Sequence, residues 1–134
     1  MTARRDEIER LADWIEAKRL EKHTADKDII VMGDFNIPSL ASPLFKAITK
    51  HGLEISRALV GLEHGSNLAK NKRYDQILHY PQYPESFSNA GGVLVFFVDD
   101  EHIKELFGAV TREVFTRQMS DHLPLWMQVR TDID

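Results

Sequence analysis

An apolar run ending in Gly33-Asp34-Phe35-Asn36 constrains this chain more than any other feature. The run, Asp28-Ile29-Ile30-Val31-Met32, shows no polar alternation. That is the pattern of a strand covered on both faces, and it predicts a central strand over Asp28–Met32. Side chains at i and i+2 of an extended segment point the same way. Asp34 and Asn36 are therefore expected to leave the strand end together, with Phe35 turned into the core. Much later, Ser120-Asp121-His122 precedes a second apolar run, Leu125-Trp126-Met127-Gln128-Val129, so Asp121 and His122 are candidates for the same site. Carboxylates, a carboxamide and an imidazole together suit metal-assisted hydrolysis of a phosphate ester. Singly, Asp34 reads as a turn-capping residue and His122 as a surface histidine; the combination carries the chemistry.

Three segments occur in order: Gly33-Asp34-Phe35-Asn36, Arg73-Tyr74-Asp75-Gln76-Ile77-Leu78, and Met119-Ser120-Asp121-His122-Leu123-Pro124-Leu125. From about Ile8 to the end, the chain resembles the C-terminal half of the endonuclease/exonuclease/phosphatase (DNase I-like) superfamily. That group includes nucleases, abasic-site endonucleases, and inositol-phosphate and sphingomyelin phosphodiesterases. The resemblance implies an α/β (α+β) fold: a mixed, mostly antiparallel sheet covered by helices, half of a four-layer sandwich. It implies hydrolysis of a phosphoester, nucleic acid included, with Mg²⁺ or Mn²⁺. Asp34 then positions the attacking water, and Asn36 holds that water or a phosphate oxygen. His122 donates to the phosphoryl group, and Asp75 orients its ring. Asp34, Asn36 and Asp121 are the implied metal set; Asn36, His122 and Arg73 are the implied substrate set. Ser120 supports the turn. At Gln76 the chain departs from the aromatic or histidine that many members carry.

Family members are longer. They carry an upstream half with an Asn on its first strand, a metal-binding Glu and a His just ahead of the helix on which this chain opens. Residues 1–134 are accordingly expected to be a partial domain with weak metal affinity. Turnover is expected only where a partner or a second copy completes the site. The alternative is a catalytically silent half-domain that self-associates or binds a partner. The apolar runs Ile29–Met32, Val93–Val98 and Leu125–Val129 are too hydrophobic for one open face, and they predict a homodimer.

Composition narrows the substrate less than the motifs do. A hydrophobic share of 43% and a charged share of 28% fit one ordinary globular domain. The net charge of −4 gives no global attraction to nucleic acid. Phosphate contacts are therefore sought locally, at Lys70, Lys72 and Arg73, with Asn67 and Asn71 as weaker candidates and Tyr80 and Tyr83 as candidate stacking rings. The chain contains no cysteine, so disulfide and thiolate chemistry are excluded, and a reducing, cytoplasmic setting is expected. No apolar run is long enough for a membrane span.

The remaining pattern predicts a helix over Ala3–Arg19 capped by Thr2, with Ile8, Leu11, Ala12 and Ile15 as its apolar stripe. A second helix is expected from Ser42-Pro43, stopped by Gly52. Leu53–Leu59 is ambiguous, and Gly61–Arg73 reads as a loop. Strands are expected over Tyr74–Tyr80, Val93–Val98, Val114–Thr116 and Leu125–Arg130, and a short helix over Asp100–Phe107. Trp14 and Trp126 are placed in the core. His23, His51, His64, His79 and His102 have no partner pattern and read as surface or structural.

Overall fold

Helix α1 (Thr2–Leu20) buries Ile8, Ala12 and Ile15 along one face, as their spacing dictates. The computed structural model describes residues 2–23, 28–82, 84–87 and 90–131. They form an α+β fold of small antiparallel sheets and five helices. Thr2 is itself helical rather than a cap. Helix α1 packs on α2 (Pro43–Ile48), whose first turn is closed by the Ser42 hydroxyl accepting from the Leu44 N–H at 3.2 Å. That helix stops at Ile48, short of Gly52.

A three-stranded antiparallel sheet lies against these helices. It comprises β1 (Ile30–Asp34), β2 (Glu54–Ile55) and β3 (Asp75–His79), in the order β1-β3-β2. The central strand is therefore β3, not the Asp28–Met32 run. Among the described residues β1 pairs only with β3 and so lies at the sheet edge; Ile30 and Val31 are half-buried, and Met32 is 67% exposed. The main core joins Ile8, Ala12, Ile15, Ile37, Ile48, Leu53, Leu78 and Tyr80. Tyr80 is thus no stacking platform: it is buried, and its hydroxyl donates to Glu16 at 3.1 Å. Tyr83 lies outside the described residues. Leu53–Leu59 resolves into β2 and the short helix α3 (Arg57–Val60), capped by Ser56.

A two-stranded antiparallel sheet follows, made of β4 (Ala90–Val93) and β5 (Leu125–Gln128). The strand expected over Val93–Val98 breaks at Val93. The Leu94 N–H still reaches the Pro124 carbonyl at 2.8 Å, but Pro124 has no N–H to return, so the ladder ends. The released segment carries Phe97 into a second core with Leu68, Ile103, Phe115 and Leu123. Helix α4 (Asp100–Phe107) forms as expected, capped by Asp99. Val114–Thr116, expected as a strand, lies inside helix α5 (Arg112–Gln118). The Thr111 hydroxyl accepts from the Val114 N–H, and burial of Phe115 overrides the β-branched preference.

Both tryptophans leave the core. Trp14 is 60% exposed, beside the covered stripe, with Lys18 over its ring at 5.8 Å. Trp126 is 46% exposed because β5 alternates, turning Leu125 and Met127 inward. Among the described residues no helix is long and apolar enough to cross a membrane.

Leu78, fully buried at the middle of β3, should lose about 2–5 kcal/mol of stability on truncation to Ala. Trp14→Ala should change stability by no more than about 0.5 kcal/mol. Urea unfolding monitored by circular dichroism checks both.

Candidate functional site

The register of β1 on β3 ends with Asp34 opposite Asp75, which puts two carboxylates at one end of the sheet. His122 reaches them from just ahead of β5. Its Nδ1 lies 2.7 Å from Asp75 Oδ2, and its Nε2 lies 3.8 Å from both Asp34 Oδ2 and Asp121 Oδ1. Asp34, Asp75 and His122 each offer a donor atom within 4.8 Å of the others, so they could hold a metal ion. The metal set implied by the sequence is thus partly rearranged: Asp75 joins Asp34, while Asp121 touches the group through His122.

Local geometry explains the placement. Gly33 carries φ +155° at the end of β1, a conformation that side chains rarely adopt. Asp34 Oδ1 then accepts the Asn36 N–H at 2.8 Å, and Asn36 itself is left-handed at φ +51°. The strand has ended, so the expected alternation no longer governs Asn36. Its described link to Asp34 is the backbone N–H, and the residue lines a neighbouring cleft with Arg4, Arg5 and Tyr74. Phe35 packs against the main core, as expected.

The loop before β3 clasps both members of the imidazole–carboxylate pair. Buried Ser66 uses its hydroxyl to accept the Asp75 N–H at 3.1 Å and its carbonyl to accept the Leu123 N–H at 2.6 Å. The Leu68 N–H donates to the Asp121 carbonyl at 2.8 Å, and Asn67 bridges to His122. Asn67 Oδ1 also accepts from the backbones of Asn71 and Lys72, folding the loop on itself. Gly65 has no alternative there: an added Cβ would lie 2.2 Å from the Lys72 carbonyl oxygen. Ser120 supports its turn by accepting the His122 N–H at 2.9 Å.

Two of the three basic residues expected to contact phosphate, Arg73 and Lys70, have other partners. Arg73 donates to the carbonyls of Leu59, Val60 and Leu62, tying down the end of α3. Lys70 donates to the carbonyls of Phe97 and Val98 and sits over the Phe97 ring at 4.5 Å. Lys72 is exposed. Buried Gln76 donates to the Arg73 carbonyl at 2.8 Å. His79, buried and stacked on Phe87, is structural as expected.

Burial works against a charged His122 ring. The hydrogen bond to Asp75 and the charges of Asp75, Asp34 and Asp121 outweigh it and raise the pKa above the ordinary 6.5. Two contributors had no assigned role in the sequence reading. Tyr74, whose ring centre is 5.9 Å from that of His122, was legible only as the neighbour of Asp75. Ser66 carries no sequence signal, since its role is a pair of long-range hydrogen bonds. A cleft of about 410 Å³ opens beside the cluster, lined by Met32, Gly33, Asp75, His122 and Leu125 among others.

With its pKa raised, protonated His122 stabilises the fold at pH below the unfolded value. That contribution fades as pH rises through the folded value. Asp75→Asn should therefore lower the His122 pKa toward 6.5 and flatten this part of the pH–stability curve, as read by histidine NMR titration and pH-dependent urea unfolding. Ser66→Ala, which orphans the Asp75 N–H, should cost about 1–3 kcal/mol in the same unfolding assay. Neither the protein-family models nor the curated proteins contain a match to this chain.

Proposed function

We propose that the chain carries the C-terminal half-site of a metal-dependent phosphoester hydrolase of the endonuclease/exonuclease/phosphatase type. The observation that carries this reading is His122 held at Nδ1 by Asp75 at 2.7 Å, with Nε2 turned toward Asp34 at 3.8 Å. A carboxylate behind an imidazole fixes its tautomer and favours its cationic form. The Asp75 oxygens accept only, so Nδ1 carries a proton, and protonation at Nε2 makes the ring a donor aimed into the site. The raised pKa keeps a larger share of the ring in that donor state at neutral pH. His122 is then the acid that hydrogen-bonds the phosphoryl oxygens or the leaving oxygen. Asp34, with one oxygen on the Asn36 N–H and the other facing His122, orients the attacking water and accepts its proton.

The donor set fits a hard cation. Mg²⁺ takes oxygen ligands, keeps several waters and needs only one or two carboxylates. The cluster that could hold it is Asp34, Asp75 and His122; with Asp75 engaged by His122, Asp34 is the carboxylate left open, which fits weak binding. A bound cation would shield the charge on the phosphoryl oxygens.

A second reading, self-association, rests on a different observation. The outer edge of β1 is unpaired among the described residues. It borders a groove of about 480 Å³ lined by Leu11, Trp14, Ile15 and the run Ile29–Met32. An open edge with apolar flanks is a template for a further strand.

Hydrolysis of bis-p-nitrophenyl phosphate with Mg²⁺ or Mn²⁺ tests the first reading. Metal-dependent turnover should be abolished in Asp34→Ala and fall about 10²- to 10⁴-fold in kcat in His122→Ala; undiminished turnover in His122→Ala removes the mechanism. Light scattering tests the second: a dimer that Met32→Lys dissociates is expected, and a monomer at high concentration rejects it.

A further inference from the structure

The hydrogen bond between Asp75 and His122 crosses from one sheet to the other. Asp75 opens β3 in the three-stranded sheet, and His122 stands just ahead of β5 in the two-stranded one. Among the described residues no strand pairing joins the two sheets. A ladder fixes distances within a sheet, but no ladder fixes the 2.7 Å between Asp75 Oδ2 and His122 Nδ1. Working donor–acceptor distances span only about 0.5 Å, so a slide of about 1 Å between the sheets would end this bond.

Ser66 holds both sides against such a slide. Its hydroxyl accepts the N–H of Asp75 itself at 3.1 Å, and its carbonyl accepts the N–H of Leu123, next to His122, at 2.6 Å. One residue is thus bonded to the backbone beside each member of the pair. Its own N–H donates to the Lys72 carbonyl at 2.8 Å, which anchors it within the loop. Ser66 is 2% exposed, so water is not at hand to replace a lost bond. The Leu68 N–H to the Asp121 carbonyl and the bridge from Asn67 to His122 tie the same loop to the His122 side. The Ser66 hydroxyl is the loop's tie to the backbone of Asp75.

We propose that Ser66 is a positioning residue. It sets the spacing between Asp75 and His122, and with it the aim of the imidazole, beyond what its hydrogen bonds add to stability. It acts through Asp75 and His122. The effect on turnover rests on the hydrolase reading; the effect on the Asp75–His122 bond does not.

The test has two arms. In the first, proton NMR of the metal-free full chain follows the His122 Nδ1–H. A ring N–H held by a carboxylate gives a low-field signal that exchanges slowly with water, and its loss in His122→Gln assigns it. In Ser66→Ala that exchange should run about tenfold faster. Ser56→Ala is the control. It removes another buried hydroxyl, the one that accepts the Ala58 N–H at the start of α3, and should lower stability without moving the signal. Should Ser66→Ala fail to fold, Ser66→Cys fills the same space with a weaker acceptor and carries the same expectation. Absence of the signal in the wild-type protein at low temperature, an unchanged signal in the Ser66 variant, or an equal change in Ser56→Ala overturns the proposal.

In the second arm, hydrolysis of bis-p-nitrophenyl phosphate with Mg²⁺ is compared among the same proteins. The Ser66 variant should lower kcat about tenfold and leave KM unchanged, because the groups that meet the substrate are all present and only their aim is altered. Ser56→Ala should leave both unchanged. An unchanged kcat in the Ser66 variant, beside a wild-type chain that turns over, overturns the proposal. Absence of turnover in the wild-type chain instead counts against the hydrolase reading, and the Nδ1–H signal then decides the role of Ser66.

Discussion

Five residue pairs join β1 to β3, from Ile30↔His79 to Asp34↔Asp75, and the groups at the site depend on where that ladder stops. Because strand side chains alternate between faces, a slip of one residue would send Leu78 out of the core and separate the two carboxylates. Burial of Leu78 beneath α1 and α2 therefore fixes the register. The core interaction and the site geometry are one constraint. Gly33 takes its unusual φ one pair before the ladder ends, and Asp34 caps the turn that follows.

The cluster so formed is electrostatically unbalanced. Three carboxylates surround one imidazole, and a neutral ring would leave their repulsion uncompensated. Protonation of His122 relieves part of it, which is the physical content of the raised pKa. Asp121 is 72% exposed and Asp34 is 43% exposed, so solvent screens them; Asp75, at 21%, is screened least and dominates through its direct hydrogen bond. The negative potential that favours the imidazolium would also attract a divalent cation. The ring proton and a cation compete for it, and a cation near Asp34 would draw the His122 pKa down.

The chemistry-bearing residues were legible in the sequence because they cluster in short motifs beside strands. Asp34, Asp75 and His122 meet as those motifs suggested, and Asp121 stands beside the ring. What was not legible depends on contacts remote in sequence or on backbone turns. The Asp28–Met32 run looks doubly covered, yet no local signal says how many neighbours a strand has, and β1 lies at an edge. Asn36 follows the rule of alternation only while the chain stays extended, and the strand ends two residues earlier. Arg73 looks like a phosphate ligand because it adjoins Asp75, but three carbonyls of the α3 region claim its guanidinium. Pro124 was visible, but its effect on β4 required knowing that the two strands pair.

Charge is distributed here in a way that a phosphate ester would feel. Three carboxylates at the candidate site oppose an anionic ligand, and the net charge of −4 adds no compensation at long range. Of the cationic side chains just ahead of Asp75, Lys70 and Arg73 are tied to backbone carbonyls, and Lys72 is exposed. An anion bound at the candidate site would therefore need positive groups beside the carboxylates rather than among them.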